Sequence, residues 1–452
     1  MPSSRGLALL LAGFLAEGPG ALAALPPAPT PAARSTEEFL DVLQRTAFQY
    51  FWEQANPVNG LVRDRSTASS KCSIAATGFG LSAILVGIDR GWITREAGRE
   101  RVRATLRTLA RLPQGPAAGG VAGHRGWFYH FLEMETGLRT WKCELSSIDT
   151  ALLLAGVLDA AQYFGEAEAG ATEIRRHATF LLDRIDWHWM RNGAASLAMG
   201  WHPEKGFIGT HWVGYNEAMI LYLLGLGAGR RPLDPSAWDA WTAGYVWTTQ
   251  YGQSFVEFPP LFGHQYSHVW VDFRGRADAW LRARGIDYFE NSRRATLAQH
   301  AYAQDNPGGW RGYGARGWGL TACDGPGGGR FRDYSARGAP PVEFDDGTLA
   351  PTAVGASVPF APEICLPTLR HYFDTFGDRL WTRYGFRDAF NLEAGWWGPD
   401  VLGIDQGPIL LMLENHRTGR VWARVTAHPV LQRGLRRAGF QSLPERKNMP
   451  PR

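Results

Sequence analysis

Only four cysteines occur in the 452 residues, and lysine appears only at positions 71, 142, 205 and 447. So few cysteines rule out a disulfide scaffold, and the absence of any CxxC weakens zinc and thioredoxin-like readings. Charge is sparse as well. Charged residues make up 20% of the chain, and 47 basic against 43 acidic residues leave a net +4. That density is too low for a disordered chain, which combines high charge with low hydrophobicity. No basic run with interleaved aromatics marks a nucleic-acid partner. No apolar run approaches the ~20 residues that a membrane span needs. GxSxG is missing, which disfavours the common serine-esterase design.

What the chain has in excess is tryptophan, 19 residues, and glycine, 54. At the N-terminus, residues 1–24 read as a secretory signal. Arg5 supplies the positive start, Gly6 to Ala16 the short apolar region, and Ala21-Leu22-Ala23 a small-x-small cleavage site. Residues 25–35 form a Pro/Ala-rich linker, 36–445 a single domain, and 446–452 a tail. The expected location is therefore periplasmic or secreted, with no membrane attachment once the signal is removed. Cys72 and Cys143 each sit just before an apolar helical run. They could pair if those helices are neighbours, and the alternative is four buried thiols.

Helical periodicity dominates. Ser35-Thr36-Glu37-Glu38 is a capping-box signature, and Phe39, Leu43, Ala47, Phe48 and Phe51 follow on one face. Further helices are predicted at 73–89, from 94, at 147–164, 166–185 and 214–226, and after Asp234-Pro235. Others fall near 271–281, 287–304, 361–374, 408–416 and 427–437. Helices that are apolar all round alternate with amphipathic ones, the former buried on both sides and the latter on one. Short polar connections alternate with long ones rich in Trp, His and Gly, at 52–72, 112–143, 186–213, 250–270 and 305–360. Two concentric rings of helices require this pattern, with the long loops gathered at one end. The expected fold is all-α, an (α/α)6 toroid of six hairpins with an aromatic cleft at one mouth. Loops this long are commonly functional.

Acids recur where those loops meet apolar helices. Glu217 directly precedes Ala218-Met219-Ile220-Leu221, Asp149 precedes Ala151-Leu152-Leu153-Leu154, and Asp405 lies in Gly403-Ile404-Asp405-Gln406-Gly407-Pro408. Glu144 lies five residues before Asp149, and Asp324 sits in the longest loop. An apolar surround raises a carboxyl pKa, and a general acid needs its proton near neutrality. Paired carboxylates in an aromatic cleft are the equipment of glycoside hydrolysis. Trp127, Trp201, Trp212, Trp310, Trp318, Trp396 and Trp397 are candidate faces for sugar rings, although each taken singly also fits a packed loop anchor. Gly312 to Gly317 matches GxGxxG without the flanking strand and helix of a dinucleotide site. His264 and His268 are four apart but lack a third ligand, so neither a metal nor a cofactor is expected.

Six motifs carry a family resemblance. They are Phe51-Trp52-Glu53 with Gly60-Leu61-Val62, the run from Ser73 to Leu81, Gly126-Trp127-Phe128-Tyr129-His130-Phe131, the run from Glu144 to Leu153, Gly214-Tyr215-Asn216-Glu217-Ala218, and Gly403 to Pro408. Together they resemble the bacterial glucoamylase-like domain family, which contains the endo-β-1,2-glucanases of glycoside hydrolase family 144. The resemblance runs from about 45 to 440. It implies an (α/α)6 toroid and hydrolysis of β-1,2-glucan, endo-acting and with inversion. It implies Glu217 as general acid, with the water-activating and substrate-binding acids among Asp149, Glu144 and Asp405. Substrate contacts are expected from Trp127, Tyr129, His130, Trp212, Tyr215, Asn216, His264, Trp318, Asp324, Trp396 and Gln406. The expected partner is a β-glucan oligo- or polysaccharide bound by a monomer. The alternatives are a transglycosylase or hydrolase of another β-glucan on the same fold, and a non-catalytic glycan-binding toroid. The Gly-rich segment from Asp324 to Asp346 matches no pattern within the resemblance.

Overall fold

The computed structural model describes residues 35–165, 170–339 and 343–443. The expected signal, nearly all of the linker, and the tail lie outside the described residues. Twelve helices alternate in chain order between an outer and an inner position. The outer ones are α1 (Thr36–Glu53), α3 (Arg95–Arg111), α5 (Ala171–Asp183), α7 (Ser236–Thr242), α9 (Tyr288–Asp305) and α11 (Pro362–Leu380). The inner ones are α2 (Ile74–Asp89), α4 (Ser147–Tyr163), α6 (Met219–Gly227), α8 (Tyr266–Trp270), α10 (Pro351–Gly355) and α12 (Gly403–Thr418). Helix α2 packs on both α4 and α12, α4 on α6, and α6 on α8. Gln265, just ahead of α8, donates to Ala353 O in α10 at 2.8 Å, and α10 packs on α12. The inner ring therefore closes, as the alternation of apolar and amphipathic helices predicted.

Burial follows the same division. Helix α2 is buried from Ile74 through Gly87, and every residue of α6 is buried. In α3 only one face is, through Val102, Leu106 and Leu109 together with Gly98, Arg101 and Thr105. The tightest inner contact is α2 against α4. A Cβ on Gly78 would lie 2.4 Å from Leu152 O, and one on Gly156 would lie 2.0 Å from Gly78 O. Alanine at either place would force the two backbones apart.

The long connections run from the C-terminus of each outer helix to the N-terminus of the next inner one, so they share one end of the ring. Two-residue ladders stiffen them, such as Cys72–Ser73 with Phe131–Leu132 and Leu145–Ser146 with Gly200–Trp201. At the other end α13 (Arg420–Thr426) packs on α4, α8 and α12, and α14 (Pro429–Arg437) packs on α6. No helix among the described residues is long and apolar enough to cross a membrane.

Three expectations about helices need correction. The helix expected near 271–281 is reduced to one turn, Ala279–Arg282, behind a two-residue strand at Arg276–Ala277. Helices α8 and α10 were assigned to loops, because one helical turn is too short to show a 3.6-residue period. Helix α6 begins at Met219 rather than Gly214, since Gly214 takes φ +84° and the chain turns through Glu217 before the helix starts. Of the two readings open for the cysteines, the structure has free thiols: Cys72 and Cys143 do not pair, and all four are free. Cys72 faces Thr77 Oγ1, while Cys143 Sγ exchanges hydrogen bonds with the Phe131 backbone.

Candidate active site

The N-termini of the inner helices bring the acids together. Ser146 caps α4, accepting from Asp149 N at 3.1 Å, and its hydroxyl donates to the Asp149 carboxylate. Asp149 and Asp405 occupy the same position, the third residue of α4 and of α12. The positive end of the helix dipole favours a carboxylate there. Glu217 stands in the turn before α6, held from behind by α8: Ser267 Oγ donates to Glu217 O at 3.1 Å and accepts from Ile220 N at 2.9 Å.

Around these acids the surroundings differ. His130 Nδ1 lies 2.7 Å from Glu144 Oε1, and its Nε2 lies 3.6 Å from Asp149 Oδ1. Burial alone would lower the His130 pKa, but Asp149 and Glu144 outweigh it and raise it to about 9. Burial likewise works against the Glu144 anion, yet the His130 hydrogen bond holds its pKa below the ordinary value. The three polar atoms lie within 4.8 Å of one another, close enough for a cation. However, His130 shows opposite ring edges to the two carboxylates, so the imidazolium itself fills the cation's role between them.

Glu217 is only partly accessible, and no cation answers it. Burial is the main cause that lifts its pKa to about 7, the field of Asp149 adds to the rise, and its own backbone N–H opposes it. A second group of acids is the carboxyl pair Asp388 and Asp405, both almost completely buried. Burial is the main cause that raises both pKa values; the field of Asp324 adds to the rise at Asp388, and that of Asp388 adds to the rise at Asp405. Two carboxyls so placed titrate as a unit. The Asp324 N–H donates to Asp388 Oδ2 at 2.7 Å. The Asp324 carboxylate binds Arg65 Nη1 at 2.9 Å, and Arg65 also meets Asp64 at 3.2 Å and Asp400 at 3.6 Å.

Of the residues singled out from the sequence, Glu217, Asp149, Glu144, Asp405, His130 and Asp324 converge on this end of the ring. Several expected sugar contacts are instead core residues. Trp127 is fully buried with its indole N–H on Asp186 O, and Trp318 is fully buried with its own on Thr368 Oγ1. Trp212 donates to Ser147 Oγ, which fixes the start of α4. Tyr129 is fully buried beneath the Arg139 guanidinium, and Tyr215 lies parallel to Tyr288 in the core. Asn216 accepts from Trp241 Nε1 and Ala218 N. Gln406 donates to Phe386 O. His264 is fully buried against Phe258 O, and burial takes its pKa down to about 3. These side chains are packed among core residues in this structure; aromatic loop composition reported loop packing as strongly as it reported a cleft. Among the loop tryptophans, Trp201, Trp310, Trp396 and Trp397 keep partial exposure. Arg65, Asp64, Asp388, Asp400 and Tyr334 were not found from the sequence. Arg65 follows the Gly60-Leu61-Val62 motif closely, and that proximity was the available signal.

Comparison with known proteins places this geometry in context. The family model described as "Putative glucoamylase" matches residues 209–429. A crystal structure described as a "putative glucoamylase" from Bacteroides uniformis is 35% identical, with TM-score 0.82, over 90% of this chain and 98% of that one. An endo-β-1,2-glucanase from Chitinophaga pinensis, solved with sophorotriose and glucose, is 28% identical with TM-score 0.82, over 91% and 99% of the two chains. A curated relative from Parabacteroides distasonis, an exo β-1,2-glucooligosaccharide sophorohydrolase acting at the non-reducing end, is 31% identical over 436 residues. That match covers 89% of this chain and 58% of the relative.

Proposed function

The chain belongs to the glucoamylase-like family, and from that premise we propose that it is a glycoside hydrolase of β-1,2-glucan, endo-acting and inverting. The observation that carries the reading is the contrast between Glu217 and the other acids. Glu217 has no cation beside it and holds its proton up to about pH 7, as a group that protonates a leaving glycosidic oxygen must. Asp388 and Asp405 are buried together and both have raised pKa values. Their raised basicity suits removal of a proton from the attacking water. Glu144 is a weaker base, because His130 holds its pKa down. Asp149 is tied to Ser146 and His130 and raises the pKa of Glu217.

The linkage is supported by the relatives' named substrates. Endo action is supported by correspondence along 99% of the Chitinophaga enzyme, against 58% of the exo-acting relative. The signal-like composition of residues 1–24 supports the reading of a periplasmic or secreted enzyme.

The test is incubation of purified protein with linear β-1,2-glucan. A spread of product lengths with rapid loss of viscosity is expected; release of disaccharide alone would replace endo with exo action. Products longer than the substrate would make the enzyme a transglycosylase. Proton NMR of the first products reads the anomer, and retention would exclude an inverting base. Absence of any released oligosaccharide would refute the assignment.

A further inference from the structure

The Gly-rich segment after Asp324 folds as a hairpin. Cys323 and Ser335 exchange both backbone hydrogen bonds, at 3.2 and 3.1 Å. Antiparallel pairing at that point sets Asp324 across from Tyr334. Gly327, Gly328 and Gly329 form the tip, all at positive φ between 61° and 79°, where side-chain-bearing residues are strained. The hairpin is pinned from inside by Arg337, which is fully buried and paired with Asp346 at 2.8 and 3.0 Å. The same guanidinium donates to the carbonyls of Cys323, Arg332, Asp333 and Ser335. One buried cation thus fixes the backbone on both sides of Tyr334.

The Tyr334 side chain, by contrast, is left 65% exposed. It does not face away from the acids. Its neighbour across the ladder, Asp324, touches both Arg65 and Asp388. Asp388, Asp405 and Glu217 all lie within electrostatic range of its hydroxyl. Tyr266, at the start of α8, feels Tyr334 together with Asp405, Glu217 and Asp149. Tyr334 is thus a water-accessible aromatic on a pinned backbone, within electrostatic range of Glu217, Asp388 and Asp405.

We propose that Tyr334 is a substrate-contacting residue, its ring covering and its hydroxyl hydrogen-bonding the glucosyl unit held between Glu217 and the Asp388–Asp405 pair. The Arg337–Asp346 pair is then the positioning device behind it. This inference rests on the hydrolase reading above. Tyr334→Ala should lower kcat/KM on β-1,2-glucan about 100-fold, because a substrate no longer held in place loses orientation. Tyr334→Phe, which deletes one neutral hydrogen bond, should lower it about 5-fold. Calorimetric titration of β-1,2-linked glucotriose into Glu217→Gln protein should show binding that Tyr334→Ala weakens about 10-fold. Melting temperatures should not change, since the side chain is exposed. If wild type hydrolyses glucan and Tyr334→Ala matches it within about two-fold, this inference alone is overturned. If wild type hydrolyses no β-1,2-glucan, the hydrolase reading fails and this inference goes with it.

Discussion

At the closed end of the ring, Asp159 is fully buried near the end of α4 and is met by the Arg424 guanidinium from α13. Glu414, late in α12, is equally buried and receives Arg90, Gln44 and Thr418. At the open end, Glu217 has no cation, and Asp388 and Asp405 face each other. The two ends carry acids on the same inner ring. Helix direction explains part of the difference. A carboxylate near a helix C-terminus meets the negative end of the dipole and needs an arginine; one at the N-terminus is already favoured. The ring can therefore leave acids without an arginine at its N-terminal mouth, and there burial, working against the dipole, raises the pKa values of Glu217 and Asp405.

The sharpest way to break this contrast is at Glu217. Glu217→Gln should reduce kcat on β-1,2-glucan by about 10⁴-fold, followed by reducing-end release. Wild-type kcat should fall as pH rises through about 7, where the acid loses its proton. Stability should move the same way. The folded pKa of about 7 lies above the ordinary glutamate value of 4.5, so the folded chain binds this proton more tightly than the unfolded chain. The stabilisation linked to it is complete below that ordinary value and is lost as pH climbs to about 7. The glutamine variant mimics the protonated acid and should flatten that part of the melting-temperature profile.

The carboxyl pair comes next. Asp405→Asn and Asp388→Asn should each lower kcat about 10³-fold, and the double variant should be little worse than the poorer single, because the two act as one unit. Neither should lower the melting temperature, since each removes a repulsion rather than a salt bridge. Asp159→Asn at the closed end should do the reverse. It leaves the buried Arg424 cation with only the more distant Asp89 at 3.8 Å and should cost about 3 kcal/mol of stability by denaturant titration. Turnover per folded molecule should stay unchanged. If Asp159→Asn lowered turnover as strongly as Asp405→Asn does, the division between the two ends would collapse.

Much of this division was legible before any coordinates. Alternation of all-round apolar and one-faced helices gave the double ring, because burial on two sides or one leaves a direct mark on composition. Glu217, Asp149 and Asp405 stood out because a charge just ahead of an apolar helix has few places to go. Helices α8 and α10 escaped, since five residues carry no period. Asp388, Arg65 and Tyr334 escaped because they meet only through loop closure across the ring, between residues such as Arg65 and Asp324 that are far apart in sequence. The tryptophans misled in a specific way. Trp127 and Trp318 lie in long loops and look like sugar platforms, but loops of that length need their own buried anchors.

The most exposed tryptophan of the long loops also fits a platform role, and it supplies the smallest expected effect. Trp141 is 63% exposed at the mouth. It and Lys142 both adopt positive φ, 55° and 54°, which side-chain-bearing residues reach only at a cost of about 1 kcal/mol or more each. Its ring leans edge-on against Phe131 at 5.3 Å, and Phe131 stacks on His130 at 3.9 Å. Strain spent on exposing a large aromatic next to the imidazolium fits a rim contact for the outer part of a long chain. Such a contact is made equally in ground and transition states, so it acts on KM and leaves kcat alone. Trp141→Ala should therefore raise KM for polymeric β-1,2-glucan about 5-fold, leave kcat unchanged, and have no effect on the shortest cleavable oligosaccharide. A fall in kcat on the short substrate would move Trp141 from the rim to the acids, and the open end would then be narrower than the exposure of its side chains indicates.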